Sequence, residues 1–295
     1  MKLNIEMPGE FLPQNVAEEI KANIKKALNE ITTVNNKFII NDSLYFRRQR
    51  TKKITPCVMN SATYISSQFQ SNLDKIESCR GETKANGQAF DGYMEIPYEG
   101  KGYKIKKPND LLYVIHEYIK INELPSKSIY TLFPMFYGMY VERGFYDINS
   151  LGFAEGMFDS VMVKHKFRVG VEFETGNVAS SFRAINKLYT LFQSNIIDCG
   201  CFITSKDKGT CATRIWPVSN RNGSFQELEQ RNYRDQVSLP LISIGFAPDG
   251  FDANAPFLSR KYGLYSPQDT GTLDESGKFK IFLGEDEEEL LFPNH

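Results

Sequence analysis

The chain has 295 residues, with 35 Lys+Arg against 36 Asp+Glu, a formal net charge of −1, and it is 41% hydrophobic and 13% aromatic. That length buries a full core as one large domain or two small ones, and the composition excludes a disordered chain, a collagen-like repeat and a disulfide scaffold. Taken whole, the neutral balance also speaks against a polyanion-binding protein, whose domains are usually basic.

No run approaches the roughly 20 consecutive apolar residues of a membrane helix, and Met1-Lys2-Leu3-Asn4-Ile5-Glu6 lacks the apolar core of a signal peptide. No membrane partner is expected. The five cysteines are Cys57, Cys79, Cys199, Cys201 and Cys211, and none forms a C-x-x-C pair. They read as packed thiols of a reducing cytoplasm rather than a zinc site. His116, His165 and His295 are scattered, which argues against a His-based metal site or a His-driven triad.

There is no internal repeat. Val16, Ile20, Ile24, Ala27, Leu28 and Ile31 recur at helical spacing and predict an amphipathic helix. Phe38-Ile39-Ile40 predicts a short strand. Arg47, Arg48, Arg50, Lys52 and Lys53 put five positive charges in seven residues, either a solvated loop or a phosphate-contacting arm. A second helix carries Tyr64, Ile65, Phe69, Leu73 and Ile76. The stretch from Gly81 to Pro108 is rich in Gly, Lys and polar residues and reads as irregular, with room for a hairpin.

Leu111, Leu112, Ile115, Tyr118 and Ile119 predict a third helix. Ile129 to Glu142 predicts a fourth, interrupted at Pro134 and stopped near Gly144. From Met157 the period changes. Met157 to Val163 and Phe167 to Glu174, separated by Lys164-His165-Lys166, read as a β-hairpin. A helix bearing Phe182, Ile185, Leu188, Leu191 and Phe192 follows, then a buried strand from Ile196 to Thr204, a short helix from Phe225 to about Gln230, and a strand from Leu239 to Phe246. This order predicts a single α/β domain, 1–295, around a central mixed β-sheet flanked by helices.

Chemistry concentrates on the predicted hairpin. Glu172 and Glu174 share one face of their strand, and Asp159 on a paired strand would converge with them. Carboxylates gathered among Val and Phe are costly unless neutralised, and Mg²⁺ prefers a few carboxylate oxygens plus water. The Phe173 carbonyl between the glutamates could add a ligand. The alternative is a solvent-facing acidic stripe.

The flanking residues are more specific. The run Val169-Gly170-Val171-Glu172-Phe173-Glu174-Thr175-Gly176-Asn177, with Ser180-Ser181, Arg183 and Asn186-Lys187-Leu188 after it, resembles the catalytic strand and following helix of the BamHI family of type II restriction endonucleases. Ile242 to Phe246, Asn254 to Leu258, Phe225 to Glu229, Phe158-Asp159 and Tyr140-Val141-Glu142 resemble further family segments in the right order, so the likeness covers roughly Ile129 to Lys261. The extra upstream residues are expected as an insertion at about 42–108, and 284–295 as an acidic C-terminal tail.

The resemblance implies the PD-(D/E)XK restriction-endonuclease-like fold. It also implies a Mg²⁺-dependent endodeoxyribonuclease that hydrolyses both strands of a short palindromic duplex site, leaving 5′-phosphate ends. Most superfamily members carry Lys where this chain, like the BamHI family, has Glu174. The implied metal ligands are Asp159, Glu172, Phe173 and Glu174, holding two Mg²⁺, with Glu174 also the general base and Glu142 a supporting acid. The implied DNA-binding residues are Asn177, Ser180, Arg183, Asn220 and Arg221. Asn220 replaces a family Asp, and Ala179 a family Ser, which changes the expected base readout. A homodimer follows from the two-fold symmetry of a palindrome, with Ile129 to Glu142 contributing to its interface or to the core. A prokaryotic cytoplasm and a partner DNA methyltransferase are implied too. The competing readings are a sequence-specific DNA binder without cleavage and a nuclease directed at modified or branched DNA.

Local charge fits this better than net charge. Asp159 to Asp235 holds 11 Lys+Arg against 8 Asp+Glu, three of them the expected ligands, while Glu285-Asp286-Glu287-Glu288-Glu289 concentrates acid at the far end.

Overall fold

The chain opens on β1 (Lys2–Glu6) and α1 (Gln14–Asn29), and Val16, Ile20, Ile24, Ala27 and Leu28 are all buried, as the helical spacing predicts. The structure is a computed structural model that describes residues 1–6, 10–57, 59–85, 87–175, 178–206, 238–261 and 263–294. Next come β2 (Ile39–Ile40), β3 (Phe46–Arg48), β4 (Ile54–Pro56) and α2 (Ala62–Leu73). The Ser61 hydroxyl accepts the Thr63 N–H and caps α2. Short strands β5 (Cys79–Arg80), β6 (Thr83–Ala85) and β7 (Gln88–Phe90) lead into β8 (Gly92–Ile105).

Helices α3 (Leu111–Ile121) and α4 (Ile129–Tyr137) then connect β8 to β9 (Phe158–Glu174). After β9 come α5 (Val178–Gln193), β10 (Cys199–Ser205) and β11 (Leu241–Ala247). The C-terminal third adds β12 (Gly250–Phe251), β13 (Phe257–Leu258), β14 (Leu264–Tyr265), β15 (Gln268–Leu273), β16 (Phe279–Leu283) and β17 (Glu289–Pro293). No helix among the described residues is long and apolar enough to cross a membrane.

The central sheet is mixed and six-stranded, in the order β1-β11-β10-β9-β8-β5, with β9, β10 and β11 parallel and the remaining pairs antiparallel. Its two faces are covered by different helices. Gly170 and Gly200 leave room for Leu188 of α5 on one face. Phe173, pointing the other way because strand side chains alternate, stacks on Phe69 of α2 with ring centroids 4.9 Å apart. Cys199 and Cys201 are buried in β10, and burial pushes both thiols up.

Two sequence expectations change. The Phe158 to Glu174 segment is not a hairpin but one 17-residue strand, and Lys164-His165-Lys166 is no turn. Its antiparallel partner is β8, in the stretch expected to be irregular, in unbroken register from Gly92↔Val171 to Ile105↔Phe158. The polar tripeptide stays extended because its lysines meet acids across the ladder, Lys164 with Glu99 at 3.6 Å and Lys166 with Glu95 at 3.2 Å. Gly102 permits the close approach of the helical connection. A Cβ there would collide with the Gly144 carbonyl and the Val163 methyls.

The segment expected as an insertion at 42–108 is woven into the fold. It supplies α2, whose Ile65, Phe69 and Leu73 are in the main core, and all of β8. The expected acidic tail is also structured. A second sheet runs β15-β16-β17-β3-β4 over a small core of Tyr45, Met59, Phe257 and Leu290, and the acidic run is the β16–β17 turn and the start of β17. Glu285 accepts the backbone N–H groups of Arg260 and Lys261, Asp286 pairs with Lys261 at 2.7 Å, and Glu288 pairs with Arg47 at 3.1 Å.

A buried network ties the helical connection to the sheet. Asp198, fully buried, accepts from His165 Nε2 at 3.1 Å, from the Arg168 backbone N–H at 2.9 Å and from Arg168 Nη2 at 2.9 Å. Burial alone would raise its carboxyl, but these hydrogen bonds win and hold it below the usual value. The Tyr146 hydroxyl donates to the Asp198 carbonyl, and Arg143 Nη2 to the Phe192 carbonyl, both at 2.5 Å.

Candidate active site

The site forms where β8 begins and β9 ends. Gly92 pairs with Val171, so β8 stops just short of Glu172, and Asp91 lies at the head of the ladder. Its carboxylate takes the place of the missing backbone partner: Asp91 Oδ2 accepts the Phe173 N–H at 2.9 Å. In a strand the N–H and C=O of one residue point to the same side, so the Phe173 carbonyl is directed toward β8 as well.

Glu172 is 7% exposed and faces α5, where Lys187 Nζ approaches Glu172 Oε1 to 2.5 Å. The same ammonium lies 5.4 Å from the centroid of the Phe90 ring. Glu174, two residues on, shares the Glu172 face and is half-buried. Burial raises the Asp91 carboxyl, opposed by the Phe173 N–H and Lys187. Burial also pushes Glu172 up to about 7, with Lys187 lowering it and Asp91 and Glu174 raising it.

Glu172 therefore links stability to pH. The folded carboxyl keeps its proton to about pH 7 while the unfolded one loses it near 4.5, so stability is fullest below 4.5 and falls as pH rises through 7. At about 1.4 kcal/mol per pKa unit, the loss in metal-free protein is up to about 3 kcal/mol. Urea unfolding in chelator across this range measures it, and Glu172→Gln should flatten the decline. An equally steep decline in that variant would place the linkage elsewhere.

The structure brings together Glu172, Phe173 and Glu174 from the expected set and places two members far from them. Asp159 stands at the opposite end of β9, across from Lys104, roughly 43 Å along the strand from Glu172 at ~3.3 Å per residue. Its expected convergence depended on the hairpin that does not form. Glu142 lies in the helical segment Gly138–Arg143 after α4, two residues before Gly144, which packs on Lys104 at that same remote end.

The acid that does approach is Asp91, 82 residues before Phe173 in the chain, and sequence reasoning missed it. Its only local signal is an Asp-Gly step between two apolar stretches. Lys187 stands within the motif, and the resemblance assigns it no role. Of the expected DNA-binding residues, Ser180 and Arg183 lie on α5, with Arg183 Nη2 donating to Ser180 Oγ at 3.1 Å. Arg183 is exposed one turn before Lys187, on the same helix face. Asn177, Asn220, Arg221 and the expected helix at Phe225 to Gln230 lie outside the described residues.

The arrangement offers hard oxygen donors, and Mg²⁺ suits them in kind: burial raises both the half-buried Asp91 and the buried Glu172, Asp91 raises Glu172 further, and a cation would relieve both. Among the described residues, no group of three or more His, Cys, Asp or Glu is already gathered at metal-binding distance.

Comparison with known proteins identifies the framework. The type II restriction enzyme BamHI of Bacillus amyloliquefaciens is 30% identical over 93 residues, which is 32% of this chain and 41% of that enzyme's length. The match to the family model described as restriction endonuclease BamHI is much wider, residues 1–287, and extends well beyond the Ile129 to Lys261 span carried by the motifs. With its mixed sheet, Glu172-Phe173-Glu174 at the end of β9 and a family match over nearly its whole length, the chain belongs to the BamHI restriction endonuclease family.

Proposed function

We propose that the protein is a Mg²⁺-dependent, site-specific endodeoxyribonuclease. It cuts both strands of a short palindromic duplex site as a homodimer, leaves 5′-phosphate ends, and works beside a DNA methyltransferase in a prokaryotic cytoplasm. One observation carries this reading: in a chain of this family, the Asp91 carboxylate is locked on the Phe173 N–H between Glu172 and Glu174.

Asp91, Glu172, Glu174 and the Phe173 carbonyl are the residues that would hold Mg²⁺. Mg²⁺ held by these residues would supply a lowered pKa for water and compensation of charge on the phosphoryl oxygens. Glu174 accepts the proton of the attacking water. The Phe173 N–H fixes Asp91, and Lys187 fixes Glu172 and balances its charge, so the donors need little reorganisation during the reaction. Ser180 and Arg183 at the start of α5 face DNA, where the Arg183 guanidinium can pair with guanine in the major groove. Asn177, Asn220 and Arg221 complete the proposed readout.

Plasmid DNA incubated with the protein in Mg²⁺, or in Ca²⁺ as control, followed by sequencing of the fragment ends, tests this. Discrete fragments with a common end motif and 5′-phosphates are expected. Binding without cutting would leave a DNA-binding protein, and cutting confined to modified or branched DNA would replace the palindrome.

A further inference from the structure

The turn joining β3 to β4 carries more charge than its structural role requires. The Gln49 N–H donates to the Lys53 carbonyl and the Lys52 N–H to the Gln49 carbonyl, each at 2.8 Å, so residues 49–53 close as a tight hydrogen-bonded turn. Every residue from Arg47 to Lys53 is exposed. Arg47 and Arg48 are held by Glu288 and Asp274 at 3.1 and 3.0 Å. Arg50, Lys52 and Lys53, by contrast, make no ion pair among the described residues. Lys52 also has a φ of 62°, in the left-handed region that favours glycine. A lysine kept in a strained backbone position, at the tip of a rigid turn, is a local sacrifice of stability that points to a function for the charge.

The root of this hairpin lies beside the catalytic layer. Tyr45, just before β3, shares a small core with Met59, and the Ser61 N–H at the start of α2 donates to the Leu258 carbonyl of β13, so the base of the hairpin lies close to the start of α2. Phe69, about 12 Å further along α2 at 1.5 Å per residue, stacks on Phe173 between the two glutamates. One helix therefore connects the hairpin's base to the strand that carries the site.

We propose that the β3–β4 hairpin is a finger that grips backbone phosphates of the duplex through Arg50, Lys52 and Lys53. The inference rests on the nuclease reading of the Asp91 site and adds a second contact surface to it. Phosphates are the fitting partner because three clustered cations supply charge without a matched set of acceptors, which positions a duplex rather than reading its sequence. The two acids that pair with this run, Glu288 and Asp274, are engaged by Arg47 and Arg48 rather than by the tip.

The test measures equilibrium binding, in Ca²⁺, of a duplex of about 30 base pairs and arbitrary sequence over a range of salt concentrations. At about 0.9 per phosphate contact, the triple variant Arg50→Ala, Lys52→Ala, Lys53→Ala should flatten the slope of log K against log salt by about 2.7 and weaken binding at least ~10-fold at about 0.1 M salt. Lys52→Gly removes one charge while relieving the backbone, so it should flatten the slope by about 0.9 without lowering the thermal midpoint. Unchanged slopes in both variants overturn the finger. Plasmid cleavage by the wild-type protein is followed in parallel. Binding with a charge-dependent slope but no cutting refutes the nuclease reading alone, cutting with unchanged slopes refutes the finger alone, and neither binding nor cutting refutes both.

Discussion

Asp91→Asn is expected to reduce plasmid cleavage in Mg²⁺ by on the order of a thousandfold or more, while Asp159→Asn leaves it unchanged within about threefold. The first value follows from removing a charge that contributes several kcal/mol at the reacting phosphate, at about 1.4 kcal/mol per tenfold in rate. Asparagine keeps an acceptor for the Phe173 N–H, so the strand end should hold its geometry and DNA binding in Ca²⁺ should persist. Glu174→Ala should likewise abolish cutting and spare binding, because it removes the proposed base. The Asp159 control separates the two placements of the third carboxylate. If Asp159→Asn is the dead variant and Asp91→Asn cuts normally, the site described here is wrong.

Asp198→Ala is expected to lower folding stability by about 3 to 5 kcal/mol, the usual effect of removing one partner from a buried, hydrogen-bonded ion pair. The carboxylate is fully buried and receives His165, the Arg168 guanidinium and the Arg168 N–H. Its loss leaves three donors unsatisfied. The Arg168 side chain is 26% exposed and regains some water, which places the effect nearer the lower end. Asp198→Asn should destabilise less, since its amide oxygen still accepts. Urea unfolding at neutral pH measures both. Asp198 lies beside Arg168, four residues before Glu172, so the folded variant should cut at the wild-type rate. A stability change below about 1 kcal/mol would mean the network does little to join the helical connection to the sheet.

The three acids of the proposed site differ in how readily a sequence shows them. Glu172 and Glu174 were legible because the strand period of two places them on one face whatever the fold around them. The helix after them was legible from Ile185, Leu188, Leu191 and Phe192, all buried as its spacing requires. The β8–β9 ladder was not legible. Most of the outer half of β9 is exposed, from Asp159 to Met162 and at Lys164 and Lys166, and its lysines meet Glu99 and Glu95 across the ladder, so that half lacks the apolar alternation that marks a half-buried strand. Lys164-His165-Lys166 looked like a turn for the same reason. That error moved Asp159 to the wrong end of the strand.

The acidic run had a similar history. Five acids in succession read as a solvated tail because nothing local distinguishes a turn whose carboxylates meet Arg47 and Lys261 from one in open water. The basic run at Arg47 to Lys53 was ambiguous in the same way. Pairing with Glu288 and Asp274 neutralises its first two arginines and leaves the charge of the turn itself exposed.

Sequence alone determined the strand that carries Glu172 and Glu174, the helix beside it and the family, because each rests on residues within a few positions of one another. The approach of Asp91 to Phe173, the lysine that faces Glu172 and the partners of the charged runs were decided only by tertiary structure. Asp91 meets Phe173 across 82 residues of chain. Nothing in the local pattern of a strand states which distant strand pairs with it, or where along its length that partner ends.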